Sequence, residues 1–389
     1  YIFGIGYGVD VIQNSINSDA MIDTLEIGVG INDVTVTMEG NDLCISINGT
    51  TDSLLISGWF TSSASHLDQI QFTDGSMTDF RQLENRIQIT IHGTAADDLL
   101  RYGYDSCKYE IYGYDGYDQI YGGRSGGNYL DGGVGNDWLV SRVDYIGSND
   151  TLFGGIGNDT LLSYGVTDIG AILMGGPGDD YYRVTNVNDI VIEYENEGYD
   201  TFISDLAYCT LPANIACLDL DLYGHNGKGN DLDNYFEGKG NWNYLAGGGG
   251  NDEIYAMGGH DTLYGGSGDD TLTGDSYDWI NHEFGNDYLD GGVGNDYLNG
   301  GYGNDIYVFG RGYGMDVIDE YYNYYHHENQ SENIDILKIN ADIQPGDILV
   351  SKLNDDLILN IAGASDTLTI YTWFDERFRI EEIHFDDGT

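Results

Sequence analysis

Glycine and aspartate recur in this chain in a fixed order that turns backbone and side-chain oxygens toward one point. Seven segments read Gly-Gly-x-Gly-x-Asp. Gly132, Gly133 and Gly135 lead to Asp137; Gly154, Gly155 and Gly157 to Asp159; Gly175, Gly176 and Gly178 to Asp180. In the second half Gly247, Gly248 and Gly250 lead to Asp252; Gly265, Gly266 and Gly268 to Asp270; Gly291, Gly292 and Gly294 to Asp296; Gly300, Gly301 and Gly303 to Asp305. Three glycines in six residues free the backbone for positive φ, so that its carbonyls can face a common centre. The aspartate adds a hard carboxylate. An all-oxygen set of this kind suits Ca²⁺ rather than zinc or copper, which draw on His and Cys, and neither recurs here.

The aspartate position can be followed between the intact copies. In the second block it runs through Asn243, Asp252, Asp261, Asp270, Asp278, Asp287, Asp296 and Asp305, every step nine residues except one of eight. The first block runs through Asp98, Asp118, Asn128, Asp137, Asp150, Asp159 and Asp180, with extra residues near Ser141 to Ile146 and Ser163 to Gly170 that should bulge as loops. A large apolar residue stands two places after the aspartate (Leu139, Leu161, Ile254, Leu263, Leu272, Leu289, Leu298) and should start a short strand pointing into a narrow core. Two nonapeptides then make one coil of a parallel β-helix, and the motif 18 residues on stacks over the first. This sets Asp252 against Asp270, Asp278 against Asp296 and Asp287 against Asp305, where bare carboxylates repel and a divalent cation reverses the sign.

The ends of the chain carry a second, longer repeat. Tyr1 to Ile12 returns as Tyr307 to Ile318, Asp52 as Asp366, and Trp59-Phe60 as Trp373-Phe374, the copies differing mainly by a tyrosine-rich insert around Tyr321 to Glu332. Val34 to Thr37, Leu43 to Ile47 and Leu357 to Ile361 alternate apolar and polar residues, the period-two mark of strands. The expected architecture is all-β: a β module over 1–92, a calcium-stacked parallel β-roll over 93–182, a β linker over 183–237, a second roll over 238–306, and a second small antiparallel β module over 307–389. The chain reads as a window cut from a longer tandem array.

Composition agrees with a missing cation. Asp and Glu number 66 against 14 Lys and Arg, a formal charge of -52 that resists compaction without counter-ions, yet 41% hydrophobic residues exceed what a disordered chain holds. Such acidity excludes nucleic acid as a partner. No run of 18 apolar residues marks a transmembrane segment. Cys44, Cys107, Cys209 and Cys217 are too scattered for a disulfide framework and read as small buried thiols. The 33 tyrosines fit strands first, and outward aromatic rows for contact with other copies second.

The nonapeptides resemble the RTX (repeats-in-toxin), or haemolysin-type calcium-binding, repeat, and the end modules resemble the related domain that often follows it. The resemblance implies a parallel β-roll, calcium-triggered folding outside the cell, and export of the unfolded chain by type I secretion. It also implies that each motif's aspartate and glycine-turn carbonyls hold the ion. Departures at Asn128, Asn243, His282-Glu283 and Arg124-Ser125 lower the expected count to about ten ions or fewer.

No nucleophile, base or metal constellation fills a catalytic role, so no enzyme is expected within these residues. His326-His327 read as solvent-exposed. The expected function is that of a secreted, extracellular calcium-binding structural protein, a tandem fragment of an adhesin, surface layer, sheath or filament, with copies of itself as partner. The alternative is the secretion and folding module of an RTX toxin or exoenzyme.

Overall fold

The computed structural model describes every residue except 15–21, 62–65, 102–106, 143–148, 166–168, 222–225, 276–284, 321–332, 376–377 and 386–389. The chain forms two compact units, one of Tyr1–Gly175 with Asn188–Ile190, the other of Gly176–Val187 with Val191–Thr389.

In the first unit short parallel strands stack into two facing ladders. Gln88–His92, Lys108–Asp115, Tyr129–Val134, Thr151–Ile156 and Ile172–Met174 form one. Leu99–Arg101, Gln119–Tyr121, Trp138–Ser141 and Thr160–Ser163 form the other. Every second side chain points between them. Ile111, Leu130, Leu152 and Leu173 stack in one column and Ile120, Leu139 and Leu161 in the other, none of them exposed. The β-rich composition thus becomes a thin core one side chain deep from each sheet, which suits β-branched and leucine residues on a pleated surface.

The second unit repeats this plan. Cys217–Leu220, Tyr235–Glu237, Glu253–Met257 and Thr271–Asp275 follow one another at 18 residues per coil, as expected. Opposite them lie Asn226–Lys228, Tyr244–Gly249, Thr262–Ser267 and Tyr288–Val293. The stretch 183–237, read above as a linker, is built from the same rungs: Thr201–Ser204 pairs in parallel with both Tyr181–Val184 and Cys217–Leu220. Without glycine turns it still has apolar residues at the inward positions, and inward burial is what a rung requires.

Coil length departs from 18 wherever residues are inserted. Leu139 pairs with Leu161, 22 positions on, and Thr271 with Tyr297, 26 positions on. Beyond each insertion the ladder resumes in phase. Of the two expected loops, 143–148 and 166–168 lie outside the described residues.

The two copies of the end module share one topology. Ile2–Phe3 pairs in parallel with Thr24–Ile27, as Ile306–Phe309 does with Ile336–Ile339. Val9–Ile12 pairs in parallel with Ser53–Ile56, and Met315–Ile318 with Thr367–Ile370. A β-hairpin lies between these rungs, Val34–Glu39 with Asp42–Ile47 in one copy and Ile348–Leu353 with Asp356–Ile361 in the other, and its second strand continues antiparallel onto Ser53–Ile56 and Thr367–Ile370 respectively. Asp52 accepts from the Gly6 and Gly8 amides at 2.9 and 2.7 Å, and Asp366 from the Gly314 amide at 3.1 Å, so the carboxylate in each copy anchors the same glycine turn.

Candidate cation-binding ladders

The motif aspartates form columns along the edges of the coils. Each spends Oδ1 on the backbone amide of the equivalent residue one coil earlier. In the first unit Asp98, Asp118 and Asp137 donate in turn to Asp118, Asp137 and Asp159 at 2.7 to 2.8 Å. In the second unit one column runs Asn234, Asp252, Asp270, Asp296, Asp316 at 2.8 to 3.1 Å. The other runs Asn243, Asp261, Asp287, Asp305, Asp335 at 2.7 to 2.8 Å.

With Oδ1 held, Oδ2 is aimed at the glycine turn. At Asp118, Asp137, Asp252, Asp261, Asp270, Asp287, Asp296 and Asp305 this oxygen is buried and has no protein donor. Around it lie carbonyls: a Cβ built on Gly265 would run into Asp270 Oδ2 and into the Gly291 carbonyl of the next coil. The first glycine of the motif is therefore needed for space. The second and third are needed for conformation, with φ between +96° and +159° in all seven copies, a region that L side chains rarely adopt. A cradle of carboxylate and carbonyl oxygens, with no nitrogen or sulfur donor, fits a hard cation such as Ca²⁺.

Electrostatics gives the same result. Burial, opposed by the Oδ1 hydrogen bond, pushes the carboxyls of Asp137 and Asp296 up to about 6, and those of Asp159, Asp252, Asp261 and Asp270 up to about 7. Asp287 rises to about 8 through burial and the neighbouring Asp261 charge, and Asp305 is raised by burial and by Asp287. These groups resist ionisation unless a cation compensates them.

Not every expected position is of this kind. Asp98 is half-exposed and its Oδ2 accepts from the Thr94 amide and hydroxyl at 2.6 and 2.9 Å. Asp150 accepts from the Asn128 amide and side chain on Oδ1 and from the Ser141 hydroxyl on Oδ2, so both oxygens already have protein donors. Asn128, Asn234 and Asn243 continue the columns with a neutral amide.

Asp278 lies outside the described residues, and the pairing expected for it is corrected. Asp296 stands against Asp270, 26 positions earlier, whereas Asp252 with Asp270 and Asp287 with Asp305 pair as expected. The ladders on either side of 276–284 are in phase, Thr271 pairing with Tyr297.

Asp200, Asp316 and Asp335 were not anticipated. Asp200 Oδ1 accepts the Asp180 amide at 2.8 Å and its buried Oδ2 has no protein donor, so it extends the column without a glycine turn. The signal was present as Asp two places before a large apolar residue, in Asp200-Thr201-Phe202 and Asp335-Ile336-Leu337. The tyrosines of the strands form lateral rows: Tyr244, Tyr264 and Tyr288 lie with ring centres 5.5 and 5.8 Å apart. Tyr321 to Tyr325 and His326-His327 fall outside the described residues.

Comparison with known proteins gives two family matches. The RTX calcium-binding nonapeptide repeat model matches residues 147–165, 237–276 and 283–315. The haemolysin-type calcium binding protein related domain matches 42–80 and 356–389, one match in each end module. Endo-1,3-1,4-beta-glycanase ExsH of Rhizobium meliloti (strain 1021) is similar at 36% identity over 92 residues, which is 24% of this chain and 19% of that protein. The chain thus matches about a fifth of the length of that relative.

Proposed function

Because the chain carries RTX calcium-binding nonapeptide repeats between two haemolysin-type calcium-binding related domains, we propose that it is an extracellular structural protein whose aspartate columns fill with Ca²⁺ on leaving the cell. The ligands would be Oδ2 of the buried motif aspartates together with carbonyls of the glycine turns. What supports this is one observation: a column of buried carboxylates, each with one oxygen tied to the backbone and the other facing carbonyls. Cytosolic calcium is too scarce to fill weak sites, so export of an uncompacted chain and folding outside follow from the same electrostatics. Among the described residues no helix is long and apolar enough to cross a membrane. No catalytic role is proposed for these residues.

Calcium in this reading binds neighbouring coils together, and the tyrosine rows supply surfaces on which copies associate. The deciding experiment is a calcium titration of the calcium-free chain, following far-UV circular dichroism and light scattering, with magnesium as control. Calcium-specific gain of β structure with rising scattering supports a structural assembly role. Gain of structure without association favours a second reading, which the glycanase match suggests: a folding and secretion module of a larger exoenzyme. β structure indifferent to calcium would sink both.

A further inference from the structure

A buried glutamate joins the aspartate column at the start of the second unit. Asp180 precedes the strand Tyr181–Val184, and Glu193 directly follows the strand Ile190–Ile192. Asp180, Glu193 and Asp200 are all buried, and each brings one carboxylate oxygen within 4.8 Å of the other two. Oxygens that share one calcium ion at about 2.4 Å lie no more than about 4.8 Å apart, so this spacing is that of common coordination.

Two of the three carboxylates have an oxygen to give. Glu193 is 6% exposed; its Oε2 accepts the Tyr182 hydroxyl at 2.6 Å, while its buried Oε1 has no protein donor. Asp200 is 1% exposed, with Oδ1 on the Asp180 amide and Oδ2 without a donor. Each side chain is thus oriented through one oxygen, and its other oxygen is buried without a protein donor. Three carboxylates gathered out of water repel one another, and a divalent cation is the partner that reverses this.

We propose that Asp180, Glu193 and Asp200 bind a Ca²⁺ ion together, at a site whose glutamate comes from outside the nonapeptide pattern. This rests on the calcium reading of the columns and extends it. The glutamate replaces the next glycine turn where the repeats stop, so the last coil of a block closes on a side chain instead of on carbonyls. A similar order of residues stands at the end of the second block, although among the described residues only Asp180, Glu193 and Asp200 gather three carboxylate oxygens within 4.8 Å. There Asp305-Ile306-Tyr307 is followed by buried Glu320, which accepts the Tyr307 hydroxyl, while Asp305 donates its amide to Asp335 at 2.8 Å. The N-terminal module has Asn14 where the duplication aligns Glu320, and Asn14 donates to Asp23 and to the His66 carbonyl, both at 3.2 Å. An amide there is satisfied by the protein and calls for no ion.

The test counts ions on the full chain. Native mass spectrometry in calcium should show Glu193→Gln carrying one ion fewer than the unmodified chain. Thermal melts in calcium should place Glu193→Gln below the parent, having lost a ligand. A purely structural glutamate would leave the ion count unchanged, and that result overturns the site. Tyr182→Phe keeps all three carboxylates but frees Glu193; it should retain the count while weakening one ion about tenfold, and wild-type affinity for every ion would count against the geometry. If the unmodified chain binds no calcium, the parent reading fails instead, which the same spectra distinguish.

Discussion

Removing calcium should make this protein an acid-stabilised fold. Asp252, Asp261 and Asp270 each have a carboxyl raised from 3.8 to about 7, chiefly by burial. At about 1.4 kcal/mol per pKa unit, each contributes about 4 kcal/mol of pH-dependent stability. The sign follows from the direction of the shift. Folding holds these protons more tightly than the unfolded chain does, so the contribution is complete below pH about 4 and is lost as pH rises through 7. Asp252 and Asp270 stand in one column and do not add independently, but the three together are a large fraction of the stability of an ordinary domain, about 5–15 kcal/mol. The calcium-free chain should therefore show β structure near pH 4 and lose it by pH 8, whereas the calcium-loaded chain stays folded throughout. Urea melts followed by circular dichroism across this range measure the effect. The charge of -52 acts in the same direction, so the series is repeated in 1 M salt, where the Debye length falls to about 3 Å and surface repulsion is screened but buried carboxyls are not. Asp270→Asn should remove about one proton from the pH slope. Calcium-free stability that is flat, or that rises from pH 4 to 8, would refute the reasoning.

Other outcomes follow from single contacts. Gly265→Ala should displace Asp270 Oδ2 from its cradle, lowering the calcium-bound melting stability by about 1–3 kcal/mol and weakening binding measured by calorimetry. Leu263, unexposed between Leu245 and Leu289, should cost about 2–5 kcal/mol on truncation to Ala, read as a lower unfolding midpoint in calcium. Burial raises the Cys107 and Cys209 thiols to about 12 and about 11, so thiol reagents at pH 8 should label neither in calcium and both once chelation opens the coils.

The nonapeptide is legible from sequence because its chemistry is local. Within six residues the glycines supply positive φ and space, the aspartate supplies the carboxylate, and Leu272 or Leu298 two places on supplies the core side chain; none of this waits for distant residues. The ends announced their shared topology for a similar reason, since duplicated residues such as Asp52 and Asp366 meet duplicated turns. What stacks on what is a different matter. Register between coils depends on how many residues each loop absorbs, and only three-dimensional phase shows that Asp296 lies over Asp270. The same holds for 183–237, where burial of Phe202, Leu218 and Phe236 builds rungs without a motif, and for Glu193, whose distance in sequence from Asp180 hides a shared oxygen cluster. Asp98 and Asp150 lie on the same sequence walk as the intact motifs, and tertiary hydrogen bonds from Thr94, Asn128 and Ser141 set their carboxylates apart. The sequence by itself determined the turn, its ion chemistry and the core residue of each strand, because these are properties of adjacent atoms; the fold alone decided which oxygens face one another, because that depends on the path of the chain between them.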